Sequence, residues 1–365
     1  MGNYISKKVT STQLPVINLS AEKEIKIIIQ HWIRILNIQL GWIHEFDKLV
    51  INYAKTLFIF DTFRSSSKLL KTFGGYTMCV NSIDYSTFDG SQFICSASND
   101  NTVCVWNVDT KKQIRSFSEH SDCVNCVKFS QYHYHNHRLN VVCSSSWDKT
   151  IRFWDIKNNQ QLQLFDQHIY GVYCIEFSPF NGGRYLCSGS IDTAIRLWDV
   201  ETSKALHVFY GHASSVRCVD ISPVQNNNKN DNKSNNIGVI GGNGYTICSG
   251  SWDNTIRIWD IETTKQLNLL NGHEKTVNSV KYESSKSKNT ILSGSDDKSV
   301  RLWDIRSGQQ IQMFNGHTSN VYAVEYSPFV VNNIEAGIYS NVICSGSAIK
   351  QFAFGIFDQI RMNCM

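Results

Sequence analysis

The residue types of a hydrolytic triad occur together four times in this 365-residue chain. His120, Ser144 and Asp148 are followed by Trp154; His168, Ser188 and Asp192 by Trp198; His212, Ser249 and Asp253 by Trp259; His273, Ser293 and Asp297 by Trp303. A histidine held by an aspartate can take the proton of a serine hydroxyl and turn it into a nucleophile. An active site is built once, however, whereas a structural device recurs with the unit it serves. Nothing beside any one copy singles it out as a nucleophile. A buried aspartate is costly unless its oxygens are paired, and an imidazole N–H and hydroxyls can pair them. The four sets therefore read as structural, and no catalytic residue is expected.

Two other groupings carry ligand types. His133, His135 and His137 alternate in a segment that reads as a loop, where extended backbone would put the three rings on one side. No Asp, Glu or Cys stands among them, so the segment reads as solvated loop rather than a metal site. Cys123-x-x-Cys126 has no second pair to complete a zinc site. Phosphate loops, dinucleotide-binding glycine patterns and hydrolase elbows are absent. Neither metal nor cofactor is expected.

What positions the sets is a repeat. The tryptophans ending the blocks, Trp106, Trp154, Trp198, Trp259 and Trp303, are spaced 48, 44, 61 and 44 residues apart. The histidines opening the next blocks, His120, His168, His212, His273 and His317, show the same spacings. Each block reads as four short strands with period-2 alternation, broken by Gly, Asn, Asp and Ser. In the fourth block these are Val216–Ile221, Tyr245–Cys248, Thr255–Trp259 and Gln266–Leu270. The Asn- and Lys-rich stretch Asn226–Asn236 accounts for the 61-residue spacing and reads as a disordered insertion. A four-stranded unit cannot bury both faces alone, but radial stacking buries them.

This pattern resembles the WD-repeat family, whose units of about 40–45 residues carry Gly-His and Trp-Asp signatures. The resemblance covers residues 50–358. It implies an all-β WD-repeat β-propeller at 50–365; ahead of it, residues 1–20 read as a flexible tail and 21–49 as an amphipathic helical segment. Clear repeats fall at 75–117, 119–165, 167–209, 211–270 and 272–314, and a degenerate last repeat at 316–358. The resemblance implies that the His, Ser, Asp and Trp of each complete set hydrogen-bond to one another. The first block keeps Ser96, Asp100 and Trp106 but has Tyr76 at the His position. In the last block Ile349 falls in the Asp slot and Gly355 in the Trp slot. Upstream, Tyr53–Asp61 and Ser67–Phe73 read as strands of another blade. They either form most of a seventh blade or complete the sixth; seven blades is the favoured closure and six the alternative.

The resemblance also implies a partner-binding rim around the central channel. Its slots hold Asn81, Asn125, Tyr173, Arg217, Asn278 and Tyr322 on the inner strands, and Asn99, Trp147, Ile191, Trp252 and Asp296 in the turns. Aromatic residues and Arg dominate interaction hot spots.

Cys95, Cys143, Cys187, Cys248 and Cys344 share one repeat slot with Leu292, while Cys126, Cys174 and Cys218 share another with Ser and Ala. They read as small buried hydrophobes of a reducing compartment, the cytoplasm with the nucleus as alternative. A net charge of +4 spread over the chain gives no reason to expect nucleic acid. Residues 21–40 put Ile25, Ile28, Ile29, Trp32 and Leu36 on one helical face, fit either to pack on the propeller or to bind a partner. Gly2 and Ser6 match the N-myristoylation pattern, and Lys7-Lys8 would support weak binding to anionic lipid. The expectation is a non-catalytic interaction scaffold or adaptor that presents a propeller face to partner proteins. A membrane-recruited, myristoylated signalling adaptor and a substrate receptor of a ubiquitin ligase are the alternatives.

Overall fold

The computed structural model describes residues 72–88, 90–222, 245–283, 290–333, 338–348 and 351–358. Gly2, Lys7, Lys8, the helical segment at 21–49, the upstream strand at 53–61, the insertion at 226–236 and Ile349 lie outside the described residues.

Among the described residues the chain forms six antiparallel sheets in succession, each strand hydrogen-bonded to the next in sequence. Blade 1 consists of β1 (Val80–Phe88), β2 (Ser91–Ser98), β3 (Val103–Asn107) and β4 (Lys112–Phe117). Blade 2 has β5 (Val124–Phe129), β6 (Val141–Ser146), β7 (Ile151–Asp155) and β8 (Gln160–Phe165). Blade 3 has β9 (Val172–Phe177), β10 (Tyr185–Ser190), β11 (Ile195–Asp199) and β12 (Lys204–Phe209). Blade 4 has β13 (Val216–Ile221), β14 (Thr246–Ser251), β15 (Ile256–Asp260) and β16 (Gln266–Leu270). Blade 5 has β17 (Val277–Tyr282), β18 (Thr290–Ser295), β19 (Ser299–Asp304) and β20 (Gln310–Asn315). Blade 6 shows three strands, β21 (Val321–Asn333), β22 (Ile338–Ser347) and β23 (Gln351–Asp358).

The inner strands β1, β5, β9, β13, β17 and β21 lie side by side in that order. The core sits between blades rather than within them. Phe88, Cys95 and Phe117 of blade 1 pack with Val124, Val142 and Trp154 of blade 2, and the same arrangement recurs along the chain. The Gly of the Ser-Gly-Ser segments permits this approach. A Cβ on Gly189, Gly250 or Gly294 would meet Cγ1 of Val216, Val277 or Val321 of the next blade at 2.6–2.7 Å. In blade 2 that slot holds Ser145, whose buried hydroxyl has no hydrogen-bond partner.

The strand register is the same in every blade. Trp106, Trp154, Trp198, Trp259 and Trp303 stand opposite Ile94, Val142, Leu186, Ile247 and Ile291. In blade 6 Gly355 occupies the matching position, opposite Ile343.

One segment departs from the sequence reading. Gln131–His137, expected as an extended loop, is a short α-helix, α1, between β5 and β6. Helical backbone puts His133 and His137, four residues apart, on one face with ring centroids 6.1 Å apart, and turns His135 away from them. His133 is buried and its Nδ1 lies 2.8 Å from Ser130 Oγ, while His135 and His137 are exposed. Burial pushes the His133 imidazole down to about 4, with His137 adding to the effect.

Candidate functional site

The repeated polar sets close the joint between the loop that enters each blade and its inner strands. In blade 2, His120 Nδ1 lies 2.7 Å from Asp148 Oδ2, and Nε2 lies 2.8 Å from Ser144 Oγ. Trp154 Nε1–H donates to the same Oγ at 2.8 Å. The distances repeat within 0.1 Å in His168–Asp192–Ser188–Trp198, His212–Asp253–Ser249–Trp259 and His273–Asp297–Ser293–Trp303. A carboxylate only accepts, so Nδ1 carries the proton, Nε2 accepts from the seryl hydroxyl, and Ser Oγ accepts from the indole. The other carboxylate oxygen takes the N–H of Thr150, Ala194, Thr255 or Ser299.

The proton order is that of a catalytic triad, but no substrate can reach these serines. Ser144, Ser188, Ser249 and Ser293 are all 0% exposed, each capped by a tryptophan that is itself buried. Burial alone would raise the carboxyls of Asp148, Asp253 and Asp297, yet the hydrogen bonds from His and from Thr or Ser hold them well below the usual carboxylate range. Burial also pushes the imidazoles of His168, His212 and His273 down, against the pull of their aspartates, which keeps the rings neutral.

Two blades carry altered sets. In blade 1, Tyr76 hydroxyl bonds Ser96 Oγ and accepts from Trp106 Nε1–H at 2.9 Å. It therefore replaces His toward Ser and Trp, while Asp100 accepts from the Thr77 N–H and from Thr102. In blade 6, His317 Nε2 keeps its 2.7 Å contact with Ser345 Oγ.

The rim residues lie together at one end of the sheets. The turn residues Asn99, Trp147, Ile191, Trp252 and Asp296 each donate a backbone N–H, at 2.9–3.0 Å, to the residue just before the inner strand of their own blade. The inner-strand residues then divide into two kinds. Asn81, Asn125 and Asn278 donate side-chain amides to the carbonyls of Val124, Val172 and Val321 in the next blade, at 2.9–3.0 Å. Asn81 also bonds Asn99, and Asn278 bonds Asp296. These five polar residues tie blades and turns together, a role that sequence reasoning missed.

Blades 3, 4 and 6 carry Tyr173, Arg217 and Tyr322 in the same slot. The Arg217 guanidinium lies over the Tyr173 ring, 4.5 Å from its centroid. Trp147 and Trp252 flank that ring at 6.1 and 6.0 Å. Tyr173 is buried under this group, but Trp147 is 41%, Trp252 48% and Tyr322 51% exposed. Trp147 is seated against Gly171, where a Cβ would come within 2.9 Å of its Cα and Cδ1 and 3.2 Å from Ile191.

A charged constriction lies further along the inner strands. Lys128 Nζ and Lys281 Nζ both bond Glu176 Oε2, at 2.9 and 3.1 Å, although Lys281 stands two blades from Glu176. Lys281 also approaches Asp220 at 3.6 Å and Glu325 at 4.0 Å. Asp84 and Asp220 accept the N–H of Phe129 and Tyr282 in the next blade. Burial pushes the Asp220 carboxyl up to about 6 against the pull of Lys281, and burial also raises the Asp84 carboxyl, against the pull of Lys128. The signal was in the sequence. Two residues beyond the Ser, Cys or Ala slot, every inner strand has a charge: Asp84, Lys128, Glu176, Asp220, Lys281 and Glu325.

Comparison with known families matches the chain to "WD domain, G-beta repeat" at residues 67–107, 111–155, 159–199, 203–260 and 264–304. The chain belongs to the WD-repeat family. No curated protein matches it in sequence. WD repeats generally serve as protein-interaction modules. In this WD-repeat chain Cys95, Cys143, Cys187 and Cys248 are buried, and burial raises all four thiols well above their ordinary range. They are thus unreactive packing groups of the blades.

Proposed function

We propose that this WD-repeat protein is a non-catalytic scaffold of the cytoplasm that holds partner proteins on the rim formed by Trp147, Tyr173, Arg217, Trp252 and Tyr322. The observation that carries this reading is the half-exposed aromatic group around Arg217. Trp147 and Trp252 present large apolar surfaces on a rim where the family's framework requires none. The sealed serines support a structural role for the repeated sets. The test is recovery of partners from native lysate with wild type, with Arg217→Ala/Tyr322→Ala, and with Leu267→Ala/Ile311→Ala on exposed outer strands. The rim variant loses the wild-type partners and the outer-strand variant keeps them. Unchanged recovery by the rim variant, with loss by the outer-strand variant, would refute the assignment.

A second reading rests on Gly2 with Ser6 and the Lys7-Lys8 pair: acylation recruits the scaffold to anionic membrane. One myristoyl chain binds only marginally, so pelleting with anionic liposomes should fade as salt rises. Intact mass of protein made in eukaryotic cells decides it; the bare mass alone rules acylation out.

A further inference from the structure

The Arg217 group has a chemistry more specific than an apolar hot spot. Three successive blades build it: Trp147 comes from blade 2, Tyr173 and Ile191 from blade 3, Arg217 and Trp252 from blade 4. In blades 1, 2 and 5 the same slot holds an Asn whose amide bonds the next blade's inner strand. Arg217 instead lies back over Tyr173 of the preceding blade.

Other cations near the framework are neutralised. Arg184 pairs with Asp199 and Glu201, Arg301 with Asp297, and Lys128 and Lys281 with Glu176. Among the described residues no carboxylate lies within ion-pair distance of Arg217, and the aromatic side chains beside it carry no charge to balance its own. An arginine laid over one aromatic ring, with no anion paired to it, can receive a planar anion through parallel N–H bonds.

We propose that Arg217 receives the carboxylate of an Asp or Glu side chain in an extended segment of a partner protein, while a neighbouring apolar side chain of that segment lies on Trp147 or Trp252. This inference rests on the partner-binding reading of the rim and adds the chemistry of the partner. A carboxylate matches the charge present. A phosphate carries about −1.5 to −2 and is held by clustered cations, whereas Arg217 is the one charged side chain of this group.

The test uses the purified full chain and random 12-residue peptides displayed on phage, with selection on wild type and counter-selection on Trp147→Ala/Trp252→Ala. The expected peptides carry Asp or Glu next to an aromatic or aliphatic residue. Replacing that acid by its amide in the synthetic peptide should weaken binding to wild type about 10-fold, the loss of one charge-assisted contact. It should change binding to Arg217→Gln by no more than about 2-fold, and replacing the acid by phosphoserine should not tighten binding to wild type. Absence of an enriched acidic position, an equal amide effect in wild type and Arg217→Gln, or tighter binding of the phosphoserine peptide overturns the proposal. Should Arg217→Gln fail to fold, Arg217→Lys with the amide and phosphoserine peptides on wild type still decides it. If lysate partners are lost from the Arg217→Ala/Tyr322→Ala variant while selected peptides show no acid preference, the rim assignment stands and this inference falls.

Discussion

Blade 5 and blade 6 share one strand register but differ in the polar set that locks it. In blade 5, Trp303 stands opposite Ile291, Ser293 is sealed, and His273 joins Asp297 to Ser293. In blade 6, Gly355 stands opposite Ile343, and the contact retained is His317 with Ser345. Ser293 is 0% exposed and Ser345 9%, and His317 is less buried than His273. Strand pairing therefore does not need the set. Backbone hydrogen bonds and apolar alternation suffice for the ladder, while the set closes the loop over the inner strands and excludes water there.

Blade 1 lies between these cases, and it makes the comparison testable. The largest effect is expected in blade 5. Asp297→Ala orphans the His273 N–H and the Ser299 hydroxyl in a buried joint, and should destabilise by about 2–4 kcal/mol in chemical denaturation. Asp100→Ala in blade 1, where Tyr76 already bypasses the carboxylate, should cost only about 1 kcal/mol. Equal losses would mean that the His link adds nothing to the set.

The histidines of the sets and the two raised carboxyls of the constriction, Asp220 and Asp84, should respond to acid with opposite signs. His168, His212 and His273 are held below their ordinary value, so the unfolded chain takes up protons before the folded one does. Their contribution is complete above about pH 6.5 and is lost as the pH falls below it. Asp220 is raised to about 6, so the folded state protonates first and gains relative stability as the pH falls through that value. Asp84 acts in the same direction. Asp220→Asn removes the larger opposing contribution. Its melting temperature should fall more steeply than that of wild type between pH 7 and pH 5. A slope equal to that of wild type would show that Asp220 does not take up a proton in the fold.

The smallest effect concerns Tyr76→His, which supplies the missing imidazole beside Asp100 but removes the ring packed near Trp106. The two changes oppose each other, and the net shift should stay within about 0.5 kcal/mol. A loss near that of Asp297→Ala would show that blade 1 is built around the tyrosine.

The framework was legible because it repeats. Two markers in lockstep defined the unit, and the register of Gly355 could be counted from Ser347. Residues used once were harder to read. The helix at 131–137 was hidden because alternating His and Tyr or Asn imitate a strand, and the burial of His133 against Ser130 decides for helix only in the fold. The rim slots were located, but Asn125 and Tyr173 look alike as candidates until the carbonyl of Val172 is found within reach of the Asn amide. The charged constriction was overlooked because its members are of mixed sign and lie 44–61 residues apart along the chain. They cluster only when six inner strands converge.

The central claim is that the sets hold the protein together and the rim engages its partners. Melting temperature and partner recovery, measured on the same preparations of Asp253→Ala and Arg217→Ala/Tyr322→Ala, test it most directly. Asp253→Ala should melt well below wild type yet recover the same partners at a temperature where it is folded. The rim variant should melt near wild type and lose them. If Asp253→Ala keeps its stability, or if it loses partners while folded and the rim variant retains them, the division of roles is wrong.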